Sequence, residues 1–244
     1  VSARLITLVP TRTRPGSVAR VVEAWSDTDA WADGAELMFI VDRDDPEHDE
    51  YHAAVQLAAR QYGESITAHV IPSWQPLVPK LNGVAVALAE GRYADAIGFA
   101  GDDHLPRTPG WVQRYTSALD DLGSGIVSCP DGYREDDLPT QWAMTSDIIR
   151  VLGRMVPAGV DHLYCDDAVR DLATAADAYA YLPDVLIEHI TPYAGKAAFD
   201  PQYERVNSGR QYKLDKRAYR AWRDGSGLAT DAEAVRNLRM GENR

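Results

Sequence analysis

The chain has 244 residues, 45% of them hydrophobic and 25% charged; this mixture excludes wholesale disorder and is long enough to bury one large core. Asp and Glu outnumber Lys and Arg by 37 to 25, a net charge of −12, which argues against a protein that simply clamps a nucleic-acid backbone. Cys129 and Cys165 alone make neither a disulfide framework nor a zinc cluster, no apolar run reaches the ~18–20 residues of a membrane span, and no basic-then-apolar segment precedes the first strand, so a reducing cytoplasm is the expected compartment.

The first half alternates strand and helix. Arg4 to Val9 is a β-rich apolar run ending at Pro10, and Val18, Val21, Val22 and Trp25 follow at helical spacing. Glu36 to Val41 reads as a second strand, with Tyr51, Ala54, Ala58 and Tyr62 on one face of a second helix. Ile66 to Ile71 is a third strand; Leu81, Val84, Ala85 and Leu88 mark a third helix. Asp95 to Ala100 is a fourth, and Thr108-Pro109 reads as the capped start of a helix carrying Trp111, Tyr115 and Leu119.

The second half is less regular. Gly125 to Cys129 and Gln141 to Thr145 read as strands around a polar, turn-rich loop. Helices are expected over Ile148 to Met155 and Asp166 to Ala175, then an extended run from Tyr179 to Ile190. A loop of about twenty residues leads to two amphipathic helices, the last with a capping box from Thr230 to Glu233. The βαβαβαβ order predicts an α/β fold, a mostly parallel sheet covered by helices on both faces, with a C-terminal helical extension. No linker or repeat divides the chain, so residues 1–244 are expected to form one domain.

Ligands of such sheets bind beyond the carboxyl ends of the strands. Those ends are polar: Pro10-Thr11-Arg12-Thr13-Arg14 after the first, Asp42-Arg43-Asp44-Asp45 after the second, and Gly101-Asp102-Asp103-His104 after the fourth. Val78-Pro79-Lys80-Leu81-Asn82-Gly83 reads as the loop before the third helix. Two adjacent carboxylates, Asp102 and Asp103, repel each other, and a divalent cation with hard oxygen ligands is one reason to keep them. A solvated turn followed by a helix cap is the other.

With these elements in order, the chain resembles glycosyltransferases of the GT-A fold, nearest to the inverting family 2 type, over about Leu5 to Lys196. GFAGDDH stands where that family carries its metal-binding Asp-x-Asp element, LVPTRTRP where its first strand ends, FIVDRDD where its second ends, and PKLNGVAVAL before its metal strand. The resemblance implies a nucleotide-binding half over about 1–128, an acceptor and catalytic half over about 129–200, and C-terminal helices over about 205–244. It implies that Pro10, Thr11, Arg12 and Asp42 contact the nucleoside, and that Lys80 and Asn82 lie beside the diphosphate. Asp103 would touch Mn²⁺ or Mg²⁺, with Asp102 on the ribose or a nearby water. Asp166-Asp167 resembles the acidic pair that opens a helix facing the sugar, with Asp167 in the general-base position. A late histidine followed by a lysine is matched by His189, as second metal ligand, and Lys196, on the diphosphate. Asp166 and Asp167 also suit a helix amino terminus on electrostatic grounds alone.

The activity implied is transfer of a sugar from a nucleotide-sugar, a UDP-sugar by expectation, to an acceptor hydroxyl with inversion. The acceptor stays open between a glycan, a protein such as a virion protein, and a modified nucleic-acid base; a catalytically silent nucleotide-sugar binder is the rival of another class. The first strand lacks the glycine-rich loop followed by Arg and Lys of sugar-nucleotide pyrophosphorylases. Two features depart from the pattern: Gly101 stands where relatives carry an acid or asparagine, and residues 212–240 match no expected element.

Overall fold

The computed structural model describes residues 4–241. Strands β1 (Leu5–Thr11), β2 (Glu36–Asp42), β3 (Ile66–Ile71) and β4 (Ala96–Phe99) are parallel neighbours in the order β3-β2-β1-β4. They alternate with helices α1 (Gly16–Ser26), α2 (His48–Tyr62) and α3 (Leu77–Glu90). A short strand β5 (His104–Pro106) and helix α4 (Trp111–Leu122) follow. Beyond β4 the sheet continues through β7 (Trp142–Thr145), antiparallel, then β6 (Ile126–Ser128), and ends at β8 (Tyr179–Tyr181). The expected α/β architecture with a mostly parallel sheet is the one observed.

Alternation along the strands fills both faces of this sheet. Ile6 and Leu8 of β1 face a core shared with α3, α5 (Ser146–Leu152) and α6 (Cys165–Ala175), while Leu5 and Val9 face the core under α1, α2 and α4. After α7 (Pro201–Val206), helices α8 (Gly209–Asp224) and α9 (Gly227–Arg239) add Tyr219, Trp222, Val235 and Leu238 to the first of these cores.

Several local expectations are corrected. β1 runs through Pro10 to Thr11; β4 pairs only with Leu5–Leu8, so Pro10 lies past that ladder. Helix α3 begins at Leu77, so Lys80 and Asn82 are helical residues rather than loop residues. Helix α4 begins at Trp111 after Gly110 in a left-handed conformation; the Thr108 hydroxyl instead accepts the Leu186 N–H at 2.9 Å. Helix α9 starts at Gly227, which leaves Thr230 inside the helix and not in a capping box. The tight α8–α9 turn sets that start, since an added Cβ at Gly225 would lie 2.6 Å from the Ala221 carbonyl oxygen. Helix α7, capped by the Asp200 carboxylate on the Tyr203 N–H at 2.7 Å, falls in the stretch read as loop.

Candidate active site

The carboxyl ends of β1 and β4 open into a cleft of about 1240 Å³, larger than the usual ~300–1,000 Å³ of a site for one small ligand. Its walls include Pro10, Thr11, Arg12, Lys80, Asp102, Asp103, Asp166, Asp167 and His189. Asp42 is fully buried behind it, and Lys196 and Asn82 are not part of the wall.

The Asp102-Asp103 turn follows directly from β4. Asp102 is buried; Thr11 Oγ1 donates to it at 2.6 Å and Arg14 at 3.1 Å. Burial first, and the adjacent Asp103 second, raise its pKa. Asp103 points the other way, with Oδ2 3.4 Å from His189 Nε2 and Oδ1 3.2 Å from His104 Nδ1. An added Cβ at Gly101 would lie 2.5 Å from Asp103 Oδ1 and 2.8 Å from His104 Nδ1, so a larger residue there would displace both side chains.

His189 arrives on β9 (Ile187–His189), which pairs antiparallel with β5 so that His104 and His189 are direct partners. Their rings stack with centroids 4.1 Å apart. His104 Nδ1 accepts the Gly101 N–H at 3.0 Å, and its Nε2 lies 3.2 Å from Thr140 Oγ1, so both nitrogens are engaged. Burial lowers the pKa of His104 and keeps it neutral. His189 Nδ1 has no hydrogen bond; Asp131 Oδ2 is 3.5 Å away.

Asp131 lies in the segment read from the sequence as a polar, turn-rich loop and was not among the expected site residues. It is buried, and Oδ1 accepts the N–H groups of Tyr133 and Arg134 at 2.7 and 2.5 Å while Oδ2 accepts the Thr140 hydroxyl at 2.7 Å. Backbone bonds from Ile187 and His189 to the carbonyls of Pro130 and Asp131 hold it beside β9. An aspartate in a Pro-Asp-Gly turn directly after a strand was the available signal.

These groups fit a hard divalent cation. Asp103, His104 and His189 present ligand atoms within 4.8 Å of one another. With His104 engaged, the donors would be one Asp103 oxygen and His189 Nε2, and Asp131, 3.5 Å from Nδ1, stands where an acceptor would orient a ligating imidazole. Two protein donors leave most of an octahedral shell to substrate oxygens and water, as Mg²⁺ and Mn²⁺ sites commonly do.

Tyr164, also in the cleft wall, adopts a left-handed conformation, φ 66°, immediately before α6, an uncommon state that concentrates at functional turns. It starts the helix so that Asp166 and Asp167 enter the cleft in its first turn. Burial lifts Asp166 to about 6, and no Lys or Arg pairs with it among the described residues. Burial also raises Asp167, but Arg170 lies 3.3 Å from it and opposes the shift.

At the carboxyl ends of β1 and β2, Lys80 Nζ donates to both oxygens of Asp42 at 2.8 and 2.9 Å, and Arg12 donates to it at 3.0 Å. Asp42 thus holds Arg12 and Lys80 at the wall and is itself behind them. Asn82, two residues along α3, faces away from Lys80 because positions i and i+2 lie on different sides of a helix. Its amide bonds the backbone of Met155 and Val156 at 2.9 Å. Lys196 pairs with Glu188 at 2.9 Å.

The chain matches no family model and no curated protein. Solved structures share its fold. The mannosyltransferase PcManGT from Pyrobaculum calidifontis, in complex with GDP-Man and Mn²⁺, aligns with a TM-score of 0.61 at 14% identity over 100% of this chain and 89% of its own. TarS residues 1–349 from S. aureus, in complex with UDP, align at 0.57 and 10% identity over 98% and 92%. A protein assigned as a glucose-1-phosphate thymidylyltransferase from Bacillus anthracis aligns at 0.51 and 11% identity over 86% and 99%.

Proposed function

We propose that this protein is a metal-dependent glycosyltransferase that moves a sugar from a nucleotide-sugar, a UDP-sugar in the first instance, to an acceptor hydroxyl. The carrying observation is one cleft lined both by Asp103 and His189, within ligand distance of a common point, and by Asp166-Asp167. The fold shared with PcManGT and TarS supports the reading, and the complexes of those proteins motivate the choice of nucleotide-sugar and Mn²⁺.

Asp103 and His189 would hold Mn²⁺ or Mg²⁺, which when bound neutralises charge on the departing diphosphate. Thr11 and Arg12, aligned by Asp102 and Asp42, would bind the nucleoside, and Lys80, held by Asp42, would lie beside the diphosphate. The base takes the acceptor proton as its oxygen attacks the anomeric carbon, and the diphosphate leaves from the other side, so the centre inverts. Asp167 is the base that the resemblance implies. A second assignment, Asp166, is favoured by its carboxyl at about 6 and the lack of an ion pair, since a base works best with a pKa near the operating pH.

Calorimetric titration with UDP, GDP, ADP and CMP, with and without Mn²⁺, tests the donor site. One nucleotide should bind tightly only with metal, and Asp103→Asn should abolish that dependence. Metal-independent binding, or none, removes the assignment. Metal-dependent binding without donor turnover or hydrolysis identifies a silent binder. Donor turnover by Asp166→Asn and Asp167→Asn then separates the two bases: the true base loses at least a hundredfold, within the usual ~10²–10⁴ of general-base catalysis.

A further inference from the structure

Helix α8 exposes Arg210, Lys213, Arg217 and Arg220. Their spacing of three, four and three residues places them in one stripe on a helix, about 15 Å long at 1.5 Å per residue. Among the described residues none of the four lies within 4.0 Å of a carboxylate. The other two cations of the helix are occupied: Lys216 sits 5.3 Å over the Tyr212 ring, and Arg223 pairs with Asp171 at 2.9 Å. Asp215 does not neutralise the stripe, because it is fully buried and accepts the N–H groups of Asp161, His162 and Leu163. Like charges three and four apart destabilise a helix, and a chain of net charge −12 has acids to spare for such positions.

The stripe starts in the cleft. Arg210 lines the wall together with Arg134, Tyr133, Tyr164 and Tyr212. Arg134 sits 5.0 Å over the Tyr133 ring, has no carboxylate partner among the described residues, and its charge is felt at Asp167. Cations without a carboxylate partner among the described residues therefore run from the cleft outward along α8. One phosphate cannot span four cations over ~15 Å, whereas a chain of phosphates can. A membrane surface fits poorly: the apolar side of α8, Tyr219 and Trp222, is buried in the core, and an interfacial helix turns such a face outward.

We propose that the acceptor is a linear phosphate polymer, which enters the cleft beside Asp166-Asp167 and leaves along the α8 stripe. The acidic remainder of the surface repels such a chain and so confines it to this path. The role as acceptor rests on the glycosyltransferase reading; the polymer site does not.

Two probes with equal numbers of phosphates, a fluorescent oligothymidylate and inorganic polyphosphate, are titrated into the full chain over a salt series. Both are expected to bind at 50 mM salt. The triple substitution Lys213→Gln, Arg217→Gln, Arg220→Gln is expected to weaken them at least tenfold and to flatten the slope of log K against log salt by about 2, at ~0.7 per phosphate contact. Tighter binding of the oligothymidylate identifies a nucleic acid stacking on the cleft tyrosines; equal binding identifies a polymer read through its phosphates alone. Binding of neither probe, binding indifferent to the triple substitution, or binding only of phosphatidylserine vesicles or polyglutamate overturns the proposal. The nucleotide titration of the same variant is expected to match that of the unaltered chain. Failure of that titration in both proteins, with polymer binding kept, removes the acceptor role and leaves the polymer site standing.

Discussion

His189 sits between two carboxylates, Asp103 at 3.4 Å and Asp131 at 3.5 Å. Burial pulls the imidazole pKa down, but the two carboxylates outweigh it and lift the group to about 9. In the metal-free protein His189 is therefore a cation at neutral pH, and an arriving ion must displace the proton on Nε2. Mn²⁺ affinity is expected to rise about tenfold per pH unit from pH 7 to 9 and then level, one proton being released per ion. Electron paramagnetic resonance of free Mn²⁺ reads the affinity, and calorimetry in two buffers reads the proton; an affinity flat over that range would exclude His189 as a ligand. The same shift governs stability. A folded pKa raised from 6.5 to about 9 contributes stability that is complete below pH 6.5 and lost as pH rises through 9. The thermal midpoint of the metal-free protein should fall over that window, and saturating Mn²⁺ should reverse the trend. Asp131→Asn is expected to weaken Mn²⁺ binding by about 10–100-fold, as loss of an outer-shell partner does.

Helix α3 separates two roles that its sequence ran together. Lys80 and Asn82 look alike as polar residues near a helix start, yet the helix turns them to different neighbours. Lys80 is buried against Asp42, which is itself fully buried. Lys80→Met leaves that carboxylate with Arg12 alone and should destabilise the fold by about 3 kcal/mol, the low end for breaking a buried pair. Asn82→Ala should cost about 1–3 kcal/mol through the unpaired backbone groups of Met155 and Val156, with no change in nucleotide affinity; lost affinity at unchanged stability would return Asn82 to the diphosphate. The strands β1, β2 and β4 were legible as mostly apolar, buried runs and β3 as a short β-rich one, and the polar ends of β1 and β4 located Thr11, Arg12 and Asp102-Asp103. The β5–β9 pair was not legible, because three residues carry no periodicity. Yet that pairing, with the Ile190 N–H donating to the Asp103 carbonyl at 2.8 Å, brings His189 to Asp103 across more than eighty residues of sequence.

At the scale of the whole molecule, the C-terminal helices are built into the core rather than appended to it. Trp222, Val235 and Leu238 share a core with Ile6, Leu8 and Ile97 of the central strands. Asp231 ties α9 to the body through Arg154 at 2.6 and 2.7 Å and accepts the Trp222 indole N–H at 2.8 Å. Asp215 holds the turn that leads through Tyr164 to Asp166-Asp167. Sequence patterning gave amphipathic helices here without a destination, because the partners of their apolar faces lie on α5 and α6, far away in the chain. Removing residues 209–241 would expose the sheet-side apolar surface of α5 and α6 and release that turn together. The truncated chain is therefore expected to lose its cooperative thermal transition and near-ultraviolet circular dichroism, and with them nucleotide binding at a site the deletion barely touches. A truncated chain that unfolds at the midpoint of the full one, still binding nucleotide, would show instead that the sheet and its first helices fold alone, and that α8 and α9 serve only the acceptor.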